Sequence, residues 1–204
     1  MPAFFSTAFS DPTLIKKLDA DFVVDDNEAA IAALNAMDRG ETLCPDQFPR
    51  RIWGDRHSKP IKRLPDLFYA NGWWCVSQRA REILAVHDMG ANQFSAVEIL
   101  QRDRVTPVAG RFFAINIVER KDTLDEAASN GLRQNPYSKM PVFNLPFVAS
   151  PGDVAIRGIA AGGADLWIER RLQRTFLISS RLAQALAQAG LEKGFQLLPC
   201  RAGE

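Results

Sequence analysis

Residues 73–99 read Trp73-Trp74-Cys75-Val76-Ser77-Gln78-Arg79-Ala80-Arg81-Glu82-Ile83-Leu84-Ala85-Val86-His87-Asp88-Met89-Gly90-Ala91-Asn92-Gln93-Phe94-Ser95-Ala96-Val97-Glu98-Ile99. Three signals follow one another along this stretch. Trp73 to Val76 is a short apolar run with the residue types of a strand, and Ser77 is suited to cap a helix N-terminus. Ala80, Ile83, Leu84 and His87 then fall at i, i+3, i+4 and i+7, the spacing of one helix face. Gly90 stands where a helix ends, and Phe94 to Ile99 reads as a second strand. The same order returns near the end of the chain. Thr175-Phe176-Leu177-Ile178 runs into Ser179, Leu182, Ala185, Leu186 and Ala189 share a helix face, Gly190 follows, and Phe195 to Leu198 reads as a strand. Arginine lies two residues after each serine, at Arg79 and Arg181. Two copies are too few for a solenoid, where three or more repeats share a core. The pattern therefore predicts an α+β fold with a mixed or antiparallel sheet and two similar strand-Ser-helix-strand units in a single domain, 1–204, either as one pseudo-symmetric core or as reuse of a common unit.

Between the copies, Gly110 to Val118 is the clearest strand. Phe113, Ile115 and Ile117 alternate with Phe112, Ala114 and Asn116, so both faces are mostly apolar and the strand belongs in the middle of its sheet. Residues 130–164 are rich in Gly, Pro and Asn and read as short strands joined by long turns. Asp165-Leu166-Trp167-Ile168 starts a strand, and the charged turn Glu169-Arg170-Arg171 leads into the second module as a hairpin. Toward the N-terminus, residues 28–37 form an alanine-rich helix with Ile31, Leu34 and Met37 as its apolar stripe, Asp26 or Asn27 as N-cap and Gly40 beyond its C-terminus. Residues 45–66 read as irregular, because Pro45, Pro49, Gly54, Pro60 and Pro65 interrupt every element.

A chain of 204 residues can bury one full core, and 47% hydrophobic against 24% charged residues is the balance of a globular protein, not a disordered one. The net charge of +1 hides an uneven distribution. Residues 1–46 hold nine acids and three bases, a net of −6, whereas residues 47–111 hold eleven bases and six acids, a net of +5. An overall basic excess is lacking, so a nucleic-acid partner is disfavoured. Cys44, Cys75 and Cys200 are odd in number and widely spaced, which predicts free thiols and a reducing, cytoplasmic location. No apolar run approaches the length of a membrane span, and the N-terminus lacks a secretory pattern.

Catalytic and metal chemistry find little to build on. The chain has only His57 and His87, neither with a nearby Cys or His, so no metal or other cofactor is expected. Cys75 before the Ser77 helix start, with His87 further on, is the one enzymatic alternative, because a helix N-terminus can acidify a thiol. Its apolar neighbours favour a structural cysteine, and the expectation is that the protein is not an enzyme. Gly158 to Gly163 fits neither dinucleotide nor P-loop spacing.

The residues from Leu64 to Pro199 resemble a family of bacterial immunity proteins encoded beside polymorphic and type VI secretion toxins. The resemblance rests on Leu64-Pro65-Asp66, Val76-Ser77, Gly90, Phe94, Val97-Glu98, Arg111-Phe112-Phe113, Leu166-Trp167-Ile168-Glu169-Arg170, Ser179 and Gly190-Leu191-Glu192-Lys193-Gly194-Phe195. It makes 64–199 the family-like core and 1–63 an N-terminal segment without a match. It implies a protein that binds and neutralises a cognate toxin. Charge then nominates the partner surface: the acidic Asp19, Asp21, Asp25 and Asp26, and the basic stretch Arg50, Arg51, Arg56, Lys59, Lys62 and Arg63 around Trp53, an aromatic suited to anchor a partner. Arg50, Arg51, Lys62 and Arg63 could instead hold a nucleotide or another anionic ligand. A homo-oligomer is compatible with this reading.

Overall fold

Runs of two to eight residues, the longer ones mostly apolar and punctuated by Gly, Pro and Asp, make short strands joined by turns. The computed structural model describes residues 3–57, 59–138, 140–157 and 162–203. In chain order, the first elements are β1 (Ala3–Ser6), β2 (Ile15–Lys16), β3 (Leu18–Ala20), α1 (Asp21–Asp25), α2 (Asn27–Arg39) and β4 (Arg51–Gly54). The central ones are β5 (Leu67–Ala70), β6 (Trp73–Ser77), α3 (Gln78–Ala85), β7 (Gln93–Leu100), β8 (Phe112–Asn116) and β9 (Arg120–Lys121). They are followed by β10 (Arg133–Gln134), β11 (Phe143–Asn144), β12 (Ala155–Ile156), β13 (Leu166–Glu169), β14 (Leu177–Ser179), α4 (Ser180–Gln188), β15 (Leu197–Pro199) and β16 (Arg201–Ala202). The α+β class and the mixed sheets agree with the expectation from sequence.

The chain gathers into two compact units. One, formed by residues 11–83 and 91–118, holds a seven-stranded sheet in the order β2-β5-β6-β8-β7-β4-β3. β8 is its middle strand, paired antiparallel with β6 and β7, as its two-sided apolar pattern requires. On one face, Ile52, Phe68, Trp73, Cys75, Ala114, Val97 and Ile99 pack into a cluster with Ala33 and Ala36 of α2. Full burial of one such large side chain contributes about 1.5–3 kcal/mol. The other unit, residues 1–10, 84–90 and 119–204, holds the five-stranded sheet β15-β1-β14-β13-β9 and its own cluster around Phe5, Leu124, Trp167 and Leu177.

The two sheets share an order. β2 pairs parallel with β5, and β9 pairs parallel with β13. The next three pairings, β5-β6-β8-β7 in one unit and β13-β14-β1-β15 in the other, are all antiparallel. Each serine-capped helix leaves the second strand of its hairpin. Ser77 Oγ accepts the N–H of Ala80 at 3.2 Å and Ser179 Oγ accepts that of Leu182 at 3.2 Å. The two similar modules read from sequence are thus one topological unit used twice. The strand completing the second copy, β1, comes from the opposite end of the chain.

Several local expectations are corrected. The helix α2 has Asp26 as N-cap, accepting from the N–H of Ala29 at 3.0 Å, and Gly40 at φ 76° closes it. Its buried residues, however, are Ala30, Ala33 and Ala36, while Ile31 is half exposed. Leu34 and Met37 flank the cluster. The small alanines permit close approach to the sheet, so the buried face runs along them and not along the larger side chains. Residues 45–66 are not wholly irregular, because β4 lies within them, joined in parallel to β7. Glu169 is not a solvated turn residue either. It ends β13 fully buried and accepts from Thr123 N–H at 2.7 Å and Thr123 Oγ1 at 2.8 Å.

Candidate functional site

β4 places successive side chains on opposite faces of the seven-stranded sheet. Ile52 enters the core cluster, so Trp53 belongs to the opposite face, in register with Asp19 of β3 and Leu100 of β7. Beyond Leu100 the chain turns sharply. Arg104 N–H donates to the carbonyl of Gln101 at 3.0 Å, and Gln101 N–H to that of Thr106 at 2.7 Å. Asp103 braces the turn by accepting from Val105 N–H, Thr106 N–H and Thr106 Oγ1 at 3.0, 2.8 and 2.5 Å. These bonds, that from the Thr106 hydroxyl foremost, hold the Asp103 carboxyl below its ordinary range. Gln101 also exchanges two 2.8 Å bonds with the backbone of Ile61, tying the segment after β4 to the same turn.

The outcome is an open groove of about 720 Å³ lined by Asp19, Trp53, Gly54, Asp55, Arg56, His57, Arg102 and Arg104. The Arg104 guanidinium lies 4.5 Å from the Trp53 ring centroid, a cation–π contact. Arg102 Nη1 donates to the Arg56 carbonyl at 3.4 Å, and Arg56 Nε donates to His57 Nε2 at 2.9 Å. Among the described residues, none of Arg56, Arg102 and Arg104 has a carboxylate within ion-pair distance. Trp53 is 4% exposed, and its Nε1 has no hydrogen-bond acceptor. Unpaired guanidinium groups around an aromatic wall suit carboxylate or phosphate groups, which take the planar fork of arginine in two parallel bonds.

The structure gathers part of the nominated set here and leaves the rest elsewhere. Asp19, Trp53 and Arg56 line the groove. Asp21 is buried and accepts the backbone N–H groups of Arg50 and Arg51 at 3.2 and 3.1 Å, with the Arg51 Nε at 3.9 Å, so it fastens α1 to β4. Asp26 is spent on the cap of α2, and Asp25 is exposed at the end of α1. Arg50, Arg51, Lys59, Lys62 and Arg63 are exposed but do not line the groove. Arg102 and Arg104 were not nominated from sequence. They lie far from Trp53 along the chain, and only the parallel pairing of β4 with β7 joins them.

The other sequence candidates divide as follows. Cys75 is buried in the core cluster, and burial pushes its thiol well above the ordinary range. Cys200 is likewise buried, its thiol pushed up to about 12. His87 follows α3, its N–H bonded to the Leu84 carbonyl at 3.0 Å. Of Gly158 to Gly163, residues 158–161 lie outside the described residues. Among the described residues no group of three His, Cys, Asp or Glu side chains is placed to hold a metal ion, and no helix is long and apolar enough to cross a membrane.

No curated protein matches the chain. The Immunity protein family (Imm11) matches it over residues 18–201, starting well before Leu64, where the recognisable motifs begin. The match takes in β3, β4, the whole groove, the first serine-capped module and, except for β1, the second, and the chain belongs to this immunity protein family.

Proposed function

We propose that this protein binds a cognate bacterial toxin stoichiometrically and neutralises it in the cytoplasm of the cell that makes both, with no chemistry of its own. Family membership supports a toxin partner. The observation that carries the binding reading is the groove, where Arg56, Arg102 and Arg104 gather beside Trp53 with no carboxylate of the described residues within ion-pair distance. The three arginines outnumber the groove's two carboxylates, Asp19 and Asp55, so an acidic segment of a partner finds electrostatic complementarity there. Arginine and tryptophan are also the residue types that dominate binding energy at protein interfaces. We place the toxin among those of polymorphic or type VI secretion systems, encoded beside this gene.

The competing enzymatic reading needs Cys75 as a nucleophile, and a thiolate is what attacks. Its burial and raised pKa leave that reading without its reactive group. Co-expression with the neighbouring gene product tests the proposal. Growth arrest by the neighbour alone, relieved by this chain and accompanied by a co-purifying complex, is the expected result. A harmless neighbour, or relief without a complex, contradicts it.

A further inference from the structure

Arg104 has a left-handed backbone, with φ 60°. A residue with a Cβ adopts that conformation at an energetic cost, and Gly or Asn is the usual occupant of such a position. The turn that demands it is closed without help from the arginine side chain. Leu100 bridges Pro107, the Arg104 N–H donates to the Gln101 carbonyl at 3.0 Å, and Asp103 accepts from Val105 and Thr106. Folding the turn therefore gives no reason for arginine here, and strained positions of this kind concentrate where a side chain serves a ligand.

The Arg104 side chain is held in place while its donors stay unused. Its guanidinium carbon lies 4.5 Å from the ring centroid of Trp53, which is 4% exposed and fixed in β4. Arg56 is bonded to His57 and Arg102 to the Arg56 carbonyl, whereas the guanidinium N–H groups of Arg104 meet no acceptor among the described residues. A planar cation already seated on an aromatic ring loses little freedom when its donor fork engages a ligand.

Charge narrows the occupant. His57 Nε2 accepts from Arg56 Nε, which an imidazole nitrogen does only when the ring is uncharged. The groove lining then holds three arginines against two aspartates, Asp19 and Asp55, a net of +1. One carboxylate balances that charge, whereas a phosphate dianion leaves a negative excess beside the aspartates. We infer that Arg104 is the recognition residue of the groove and takes one carboxylate of the toxin, an Asp or Glu side chain, in two parallel bonds. This rests on the toxin-binding function proposed above and gives its groove a specificity-determining residue and a ligand chemistry.

The test titrates the purified product of the neighbouring toxin gene with the wild-type chain, R104K and R104A, following association and dissociation separately. Lysine keeps the charge and loses the fork. R104K therefore raises Kd at least about tenfold through faster dissociation, while its association rate stays within about twofold of wild type. R104A loses both and also associates more slowly. Among toxin variants carrying single acid-to-amide changes, one weakens binding to the wild-type chain as much as R104K does and weakens binding to R104K no further. A Kd for R104K within about twofold of wild type overturns the inference while leaving neutralisation by binding in place. So do acid-to-amide losses that all add to that of R104K. Saturable binding of ATP that R104K abolishes also overturns it, by assigning the fork to phosphate. If the wild-type chain does not bind the neighbouring product, the functional reading fails first and this inference with it.

Discussion

Ser77 donates its hydroxyl hydrogen to Asp66 at 2.5 Å while its oxygen receives the N–H of Ala80 at 3.2 Å. One serine thus joins the start of a helix to the residue that opens the first strand of its hairpin, β5. Ser179 repeats the arrangement, donating to Asp165 and accepting from Leu182 N–H. The backbones match as well, with the N–H of each serine bonded to the carbonyl of its aspartate at 3.0 and 2.9 Å. If the two modules use one device, Ser77→Ala and Ser179→Ala each cost about 1 kcal/mol, the usual value of a helix cap. Denaturant unfolding of each variant measures this, and a negligible loss in either would break the equivalence.

In the second copy the aspartate meets an arginine. Asp165 is 1% exposed and also accepts from Arg181 Nε and from Asp88 N–H. Burial opposes its ionisation, but the bonds from Arg181, Ser179 and the Asp88 backbone outweigh it, and its pKa lies below the ordinary carboxylate range. A carboxyl whose folded pKa is depressed stabilises the fold above the unfolded value of about 3.9, and that contribution is lost as pH falls through the folded value. Asp165→Asn therefore lowers stability by about 1–3 kcal/mol at neutral pH. The gap between variant and wild type narrows below about pH 4, as read from unfolding curves taken across that range.

Both modules were legible because helix periodicity and serine caps are local signals. So was the central position of β8, from the two-sided pattern of Phe112 to Asn116. The aspartates were harder to assign, although Asp66-Leu67-Phe68 and Asp165-Leu166-Trp167 are visibly alike, because their role depends on hairpin register. β1 could not be assigned to the second module, since its partners Leu177 to Ser179 lie at the far end of the chain. Charge asymmetry pointed to Trp53 and Arg56. It could not find Arg102 and Arg104, which reach the groove only through the β4–β7 pairing.

Thiol labelling separates the structural from the accessible cysteines. Cys44 is exposed, whereas Cys75 and Cys200 are buried with raised pKa values. Alkylation of the native chain at neutral pH modifies Cys44 alone, and all three cysteines react after denaturation. Rapid native labelling of Cys75 would revive the enzymatic alternative.

The groove arginines make a kinetic prediction. R102E/R104E reverses two charges on an exposed turn and removes the Arg104–Trp53 contact, so folding stability falls by about 0.5–1 kcal/mol. Association with the toxin slows by about tenfold or more at low salt, and the difference shrinks as salt screens it. Stopped-flow association at several ionic strengths measures both effects. An unchanged on-rate would place the partner elsewhere.

Calorimetric titration of this chain into the purified product of the neighbouring toxin gene tests neutralisation by binding most directly. The account predicts one saturable transition at a fixed molar ratio, with toxin activity falling in step and reaching zero at that same ratio. Loss of toxin activity at far smaller amounts of this chain would mean turnover and not binding, and would contradict it.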